Sequence, residues 1–104
     1  MAAARLEPGQ GADGALRLLL SGRVDFDNTP ALLEESMSML GGSGTVTVDL
    51  SGVTSVNSAG LALLLEWKHL LGKEGRELVL VNVPQTLRNI ARVNELETIL
   101  ALAG

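Results

Sequence analysis

A strand–helix–strand succession between Thr45 and Val81 sets the terms for any fold this chain can adopt. Thr45-Val46-Thr47-Val48-Asp49-Leu50 is short, rich in β-branched residues and preceded by glycine, which marks a strand. A loop over 51–57 leads into a helix over about 58–71, which Gly72 and Gly75 stop. Residues 77–81 read as a second apolar strand. Two strands joined through a helix pair in parallel with a right-handed crossover. The pattern therefore predicts a mixed sheet with helices lying mainly over one face.

The flanking segments extend that plan. A first strand is expected to begin near Ala3 and close over 6–8, followed by turn residues over 9–14 and a leucine-rich strand over 15–21 ended by Gly22. These two would form a hairpin. Residues 25–28 read as a loop. Thr29 followed by Pro30 predicts a helix with Thr29 as N-cap and Pro30 at the first helical position, running to about Leu40. Leu33, Met37 and Leu40 would share its apolar face, and Gly41 and Gly42 would stop it. Pro84 opens a third helix reaching about Asn94, and 99–102 could add a last short strand or simply cover the sheet.

Composition narrows the function classes. With 104 residues, one domain is the expectation, spanning 1–104. A formal net charge of −4 and no basic face argue against a nucleic-acid binder. The longest apolar runs, such as Leu61-Ala62-Leu63-Leu64-Leu65, fall far short of the about 20 residues a bilayer span needs. The N-terminus lacks the apolar stretch of a signal peptide, so the reading is a cytoplasmic protein that reaches a membrane only through a partner. Without cysteine, with one histidine (His69) placed as a surface residue, and with no metal-ligand spacing around Asp25, Asp27 and Asp49, no catalytic residue, metal site or cofactor is expected.

The informative stretch runs from Asp49 to Leu61, where a central strand hands over to a helix through small polar residues. Ser58 can act as the N-cap of that helix, and it is also a candidate contact or phosphorylation site beside the positive helix end. Gly60 permits close backbone approach. At 100° per residue, Leu61, Leu64, Leu65 and Leu71 fall on one side of the helix and Leu63, Trp67 and Leu70 on the next. Together they span roughly 220°, about twice the stripe a one-sided helix needs. Either neighbouring helices bury the excess or it faces a partner. The lone tryptophan, flanked by Leu63 and Leu70, favours a partner contact, with Glu66, Arg88 and Arg92 as its rim. The expected partner-binding set is Asn57, Ser58, Leu63, Glu66, Trp67 and Leu70.

Leu20-Ser21-Gly22-Arg23-Val24-Asp25, Val46-Thr47-Val48-Asp49-Leu50-Ser51-Gly52-Val53 and Val56-Asn57-Ser58-Ala59-Gly60-Leu61 resemble the STAS domain family, the fold of bacterial anti-sigma factor antagonists. The resemblance covers most of the chain and implies a STAS-like α/β domain with a mixed sheet of four or five strands. In the antagonists the position matching Ser58 is phosphorylated by the anti-sigma kinase, and the preceding residue, here Asn57, is usually aspartate. Within the family, Gly60-Leu61-Ala62-Leu63-Leu64-Leu65 and its hydrophobic helix look most like the cytoplasmic subunit of phospholipid-transporting ABC systems. That likeness implies a non-catalytic subunit bound to the transporter's ATPase at the inner membrane and serving outer-membrane lipid asymmetry. The alternative it leaves open is a phospho-regulated antagonist.

Overall fold

The structure, a computed structural model, describes residues 4–11 and 14–100. Elements follow in the order β1 (Arg5–Gln10), β2 (Leu16–Val24), α1 (Thr29–Met37), β3 (Val46–Val56), α2 (Ser58–Gly72), β4 (Leu78–Val81) and α3 (Gln85–Val93). The sheet has the order β1-β2-β3-β4. β1 runs antiparallel to β2, and β2, β3 and β4 are mutually parallel. The mixed sheet expected from the sequence is present with four strands. The expected start of the first strand at Ala3 and the end of the last segment at Leu102 lie outside the described residues. Up to Leu100 the final segment forms no strand, and Leu100 instead packs into the core.

Alternation along the strands decides which face the helices cover. Leu18, Leu20, Val24, Val46, Val48 and Leu50 are buried and join the leucines of α2 in one core. Arg17, Leu19, Thr47 and Asp49 alternate with them and are only half-buried. On that second face Asp49 accepts from Arg17 (3.0 Å), from Asn82 (3.0 Å) and from the Ser51 amide (2.9 Å), so β2, β3 and the β4–α3 turn are tied at one carboxylate. The bonds from Asn82, Ser51 and Arg17 hold the Asp49 carboxyl well below the usual carboxylate range.

Several boundaries differ from the sequence expectation for identifiable reasons. Gly22 does not end β2. Its φ of 88° sits beside a register shift against β3, and the strand continues through this bulge to Val24. β3 does not stop at Leu50 either. Its Ser51–Val56 half pairs with β2 alone, because β4 covers only Val46 to Asp49. Gly52 is what admits the close pairing, since a Cβ there would lie 2.7 Å from the Ser21 Cβ. In α1 the N-cap is Asn28, and Thr29 is already helical. The buried face of α1 is Leu32 and Ser36, while Met37 is exposed and Leu33 and Leu40 pack only partly.

The partner-facing stripe on α2 is corrected most sharply. Trp67 is 0 % exposed and Leu63 3 %. α2 contacts both α1 and α3 above the sheet, and these neighbours take up the apolar arc that one sheet could not. The indole Nε1–H of Trp67 donates to Ser36 Oγ at 2.8 Å, and that hydroxyl donates in turn to the Leu33 carbonyl at 2.6 Å. A buried indole needs such a partner. Among the described residues no helix is long and apolar enough to cross a membrane.

Replacing Ser36 by alanine leaves the Trp67 N–H buried without an acceptor, which should cost about 1–3 kcal/mol. Urea unfolding of S36A, W67F and the double variant checks this. The double variant should lose less than the sum of the singles, giving a coupling of about 0.5–3 kcal/mol.

Candidate functional site

The parallel strands β2 and β3 end together at the pair Val24–Val56, and both chains turn there into helices. The first turn, Asp25 to Asn28, is closed by its own side chains. Asp25 Oδ1 accepts from the amides of Asp27 (3.0 Å) and Asn28 (3.2 Å). Asn28 Oδ1 accepts from the Asp25 amide (3.0 Å), and its Nδ2 donates to the Arg23 carbonyl (2.6 Å). Arg23 completes the knot with an ion pair to Asp25 at 3.3 Å. Asp and Asn favour such turns because their side chains reach backbone amides one to three residues away. Phe26 rides on this turn and is 67 % exposed. Its exposure is held by bonds on either side of it rather than left to a loose loop.

The second turn enters α2. Asn57, not Ser58, is the N-cap. Its Oδ1 accepts from the Ala59 amide at 2.8 Å, and its backbone is extended as a cap requires. The Asn57 amide donates to the Val24 carbonyl at 3.4 Å, which links the cap to the end of β2. Ser58 is thereby released from capping and stands exposed at the first helical position, beside the positive end of the helix. Gly60 supplies the close approach expected of it, since a Cβ there would overlap the Val56 side chain and touch Val24.

Between the two turns, α1 and α2 leave a groove of about 330 Å³ lined by Phe26, Thr29, Pro30, Leu33, Ala59, Ala62, Leu63 and Glu66. Its walls are apolar, and its one charged lining residue is the carboxylate of Glu66. The arrangement can seat an apolar side chain of a partner and pair a cation beside it. Among the described residues no three His, Cys, Asp or Glu side chains converge as a metal site.

Of the residues expected from the sequence, Asn57 and Ser58 sit at the N-terminal end of α2 next to the groove-lining Ala59, while Leu63 and Glu66 line the groove further along the helix. Trp67 belongs to the core. Leu70 is half-buried and lines a separate hollow with Met37, Leu40 and Gly41 at the far end of the helix. Arg88 and Arg92 lie on α3, outside the groove, and Arg92 donates to Asn89 at 2.7 Å. Phe26, Pro30, Leu33 and Ala62 were not anticipated. The available signal was Asp25-Phe26-Asp27, a large apolar residue inside turn-forming sequence, where no core can receive it.

A family model described as "Mlab, STAS domain" matches residues 9–102. No curated protein matches. Among solved structures, the anti-sigma factor antagonist SpoIIAA in its unphosphorylated form superposes with a TM-score of 0.72 at 16% identity, covering 90% of this chain and 84% of that one. An anti-sigma factor antagonist from Mycobacterium paratuberculosis gives 0.72 at 24% identity, covering 96% and 83%. The murine anion transporter Slc26a9 gives 0.60 at 17% identity, covering 88% of this chain and 18% of that one. At these identities the structural likeness establishes the fold.

Asn57→Ala should destabilise the protein by about 0.5–2 kcal/mol through loss of the cap, whereas Asn57→Asp should be neutral or stabilising, because aspartate also caps and its charge suits the helix N-terminus. Thermal unfolding of the two variants checks the assignment, and equal destabilisation by both would contradict it.

Proposed function

This chain belongs to the Mlab STAS domain family, and from that premise we propose that it is a non-catalytic subunit docked on the MlaF-like ATPase of an ABC system that transports phospholipid and maintains outer-membrane lipid asymmetry. The observation that carries the reading is an exposed Ser58 beside a groove whose rim is a rigidly presented, exposed Phe26. Large apolar groups held out in water mark interaction sites, and an aromatic anchor next to a pocket is the usual centre of a protein interface.

In the proposed complex Phe26, Pro30, Leu33 and Ala62 form the apolar centre. Ser58 and Asn57 meet the partner at the helix end, and Glu66 pairs with a partner cation. Leu63 acts from beneath as the groove floor. Trp67 contributes by fixing α2 rather than by contact, and Leu70 lies off the surface. The chain would work on the cytoplasmic side of the inner membrane, held there by the transporter. Its effect on the ATPase would be to order or align it, so that ATP turnover depends on the interface.

The second reading is a phospho-regulated anti-sigma factor antagonist. It is favoured by the exposure of Ser58 at the first turn of α2 and by the structural likeness to antagonists. A phosphate on Ser58 would meet the helix N-terminus and add nearly two negative charges to the docking face. Intact-mass measurement on protein from its native host separates the two, since a stoichiometric phosphate on Ser58 supports the switch and its absence supports the constitutive subunit.

Co-purification with the ATPase tests the leading reading. Ser58→Arg and Phe26→Asp should each weaken the complex at least tenfold, about 1.4 kcal/mol, and lower its ATP turnover. Leu70→Gln should leave both unchanged. Retention of the complex by folded Ser58→Arg and Phe26→Asp variants would refute the proposed face.

A further inference from the structure

A further concavity, distinct from the groove and from the Leu70 hollow, lies toward the opposite end of α2 from Ser58. This cleft, of about 710 Å³, is lined by Leu65, Lys68, His69, Gly72, Lys73, Arg76, Glu77, Leu78 and Ile99. We propose that it is a separate docking site for an acidic amphipathic segment of a partner protein.

Charge is the first ground. The chain carries a net charge of −4 and has only two lysines and one histidine, and all three line this cleft. The arginines are otherwise engaged. Arg5, Arg17, Arg23 and Arg76 form ion pairs with Glu7, Asp49, Asp25 and Glu74, and Arg92 bonds Asn89. Among the described residues neither Lys68 nor Lys73 is in an ion pair. Against them the cleft lining sets one carboxylate, Glu77. Lys68 and Lys73, which form no ion pair among the described residues, are therefore gathered in one hollow of an acidic protein.

The second ground is the apolar floor. A helix C-terminus favours nearby cations, but that accounts for Lys73 and His69 without requiring Leu65, Leu78 and a 49 % exposed Ile99 beside them. An apolar centre within a charged rim is the anatomy of a protein interface. One wall is also fixed in advance: Arg76 donates to the carbonyls of Leu40 (2.6 Å) and Gly44 (2.9 Å), so its guanidinium stiffens the site instead of seeking a ligand. Charge complementarity selects the class of occupant. Lysines set around Leu65, Leu78 and Ile99 match leucine- or isoleucine-like side chains on a protein segment with acidic neighbours.

The test is an NMR titration of the full chain with a 14-residue peptide carrying leucines at i, i+4 spacing flanked by glutamates. A control peptide has lysine for each glutamate, and vesicles of phosphatidylglycerol form a separate arm. Amide shifts should map to Leu65, Lys68, His69, Gly72, Lys73 and Leu78. The affinity should fall at least tenfold in a folded K68E/K73E variant and should be unchanged in S58R, which keeps this result independent of the ATPase interface. Four outcomes would overturn the proposal: no binding up to millimolar peptide, equal binding of the lysine control, shifts confined to the Phe26–Ser58 face, or vesicle binding lost in K68E/K73E while the acidic peptide leaves the cleft unmoved.

Discussion

The bond from the Trp67 indole to the Ser36 hydroxyl is the constraint on which the placement of everything else depends. α2 carries more apolar surface than a sheet can cover, and a tryptophan in its midst adds a donor that cannot be buried unpaired. Ser36, fully buried on α1, accepts that donor and donates its own hydrogen bond to the Leu33 carbonyl. The pair locks α1 to α2 at a fixed rotation. Ala62, Glu66 and Ser58 are consequently the residues of α2 that remain outward at its N-terminal end, and the groove against α1 is the space between the two locked helices.

The same lock explains why the apolar excess on α2 is taken up inside the domain. Counting apolar residues on α2 identified the excess correctly, but periodicity on one helix says nothing of what its neighbours can absorb. The missing information was on α1, where the buried face is Leu32 and Ser36 rather than Leu33, Met37 and Leu40. A buried serine is invisible to an apolar count and becomes intelligible only beside the indole. The strand–helix–strand core was legible because β-branched alternation and glycine stops act locally. Gly22 and the Ser51–Val56 half of β3 were not, since turn-forming residues there are absorbed by a bulge and a close strand approach that only pairing reveals.

At the N-terminal end of α2 the sequence suggests Ser58 as the cap, and the structure gives that role to Asn57. Both Asn57 and Ser58 are good caps. The choice of Asn57 follows from β3 running on to Val56, which puts Asn57 at the junction and Ser58 one step inside the helix. The hydroxyl-bearing residue stands exposed inside the helix because its neighbour performs the capping. A lone aromatic such as Phe26 has no periodicity to report.

The two ends of α2 thus present opposite chemistry, an apolar groove edged by Glu66 and an apolar cleft edged by Lys68 and Lys73. Their linings take residues 59–66 and 65–73 respectively, so their centres lie about seven residues, roughly 10 Å, apart along the helix axis and on different sides of it. Hydrogen–deuterium exchange on the chain alone and bound to the ATPase subunit tests the central claim most directly, because it reports the buried stripe and the open groove in one experiment. The account predicts that amides around 36 and 67 are already slow in the free chain and unchanged on binding, while those over 26–33 and 57–62 become protected. Fast exchange around 67 in the free chain that slows in the complex, with 26–33 unaffected, would contradict it.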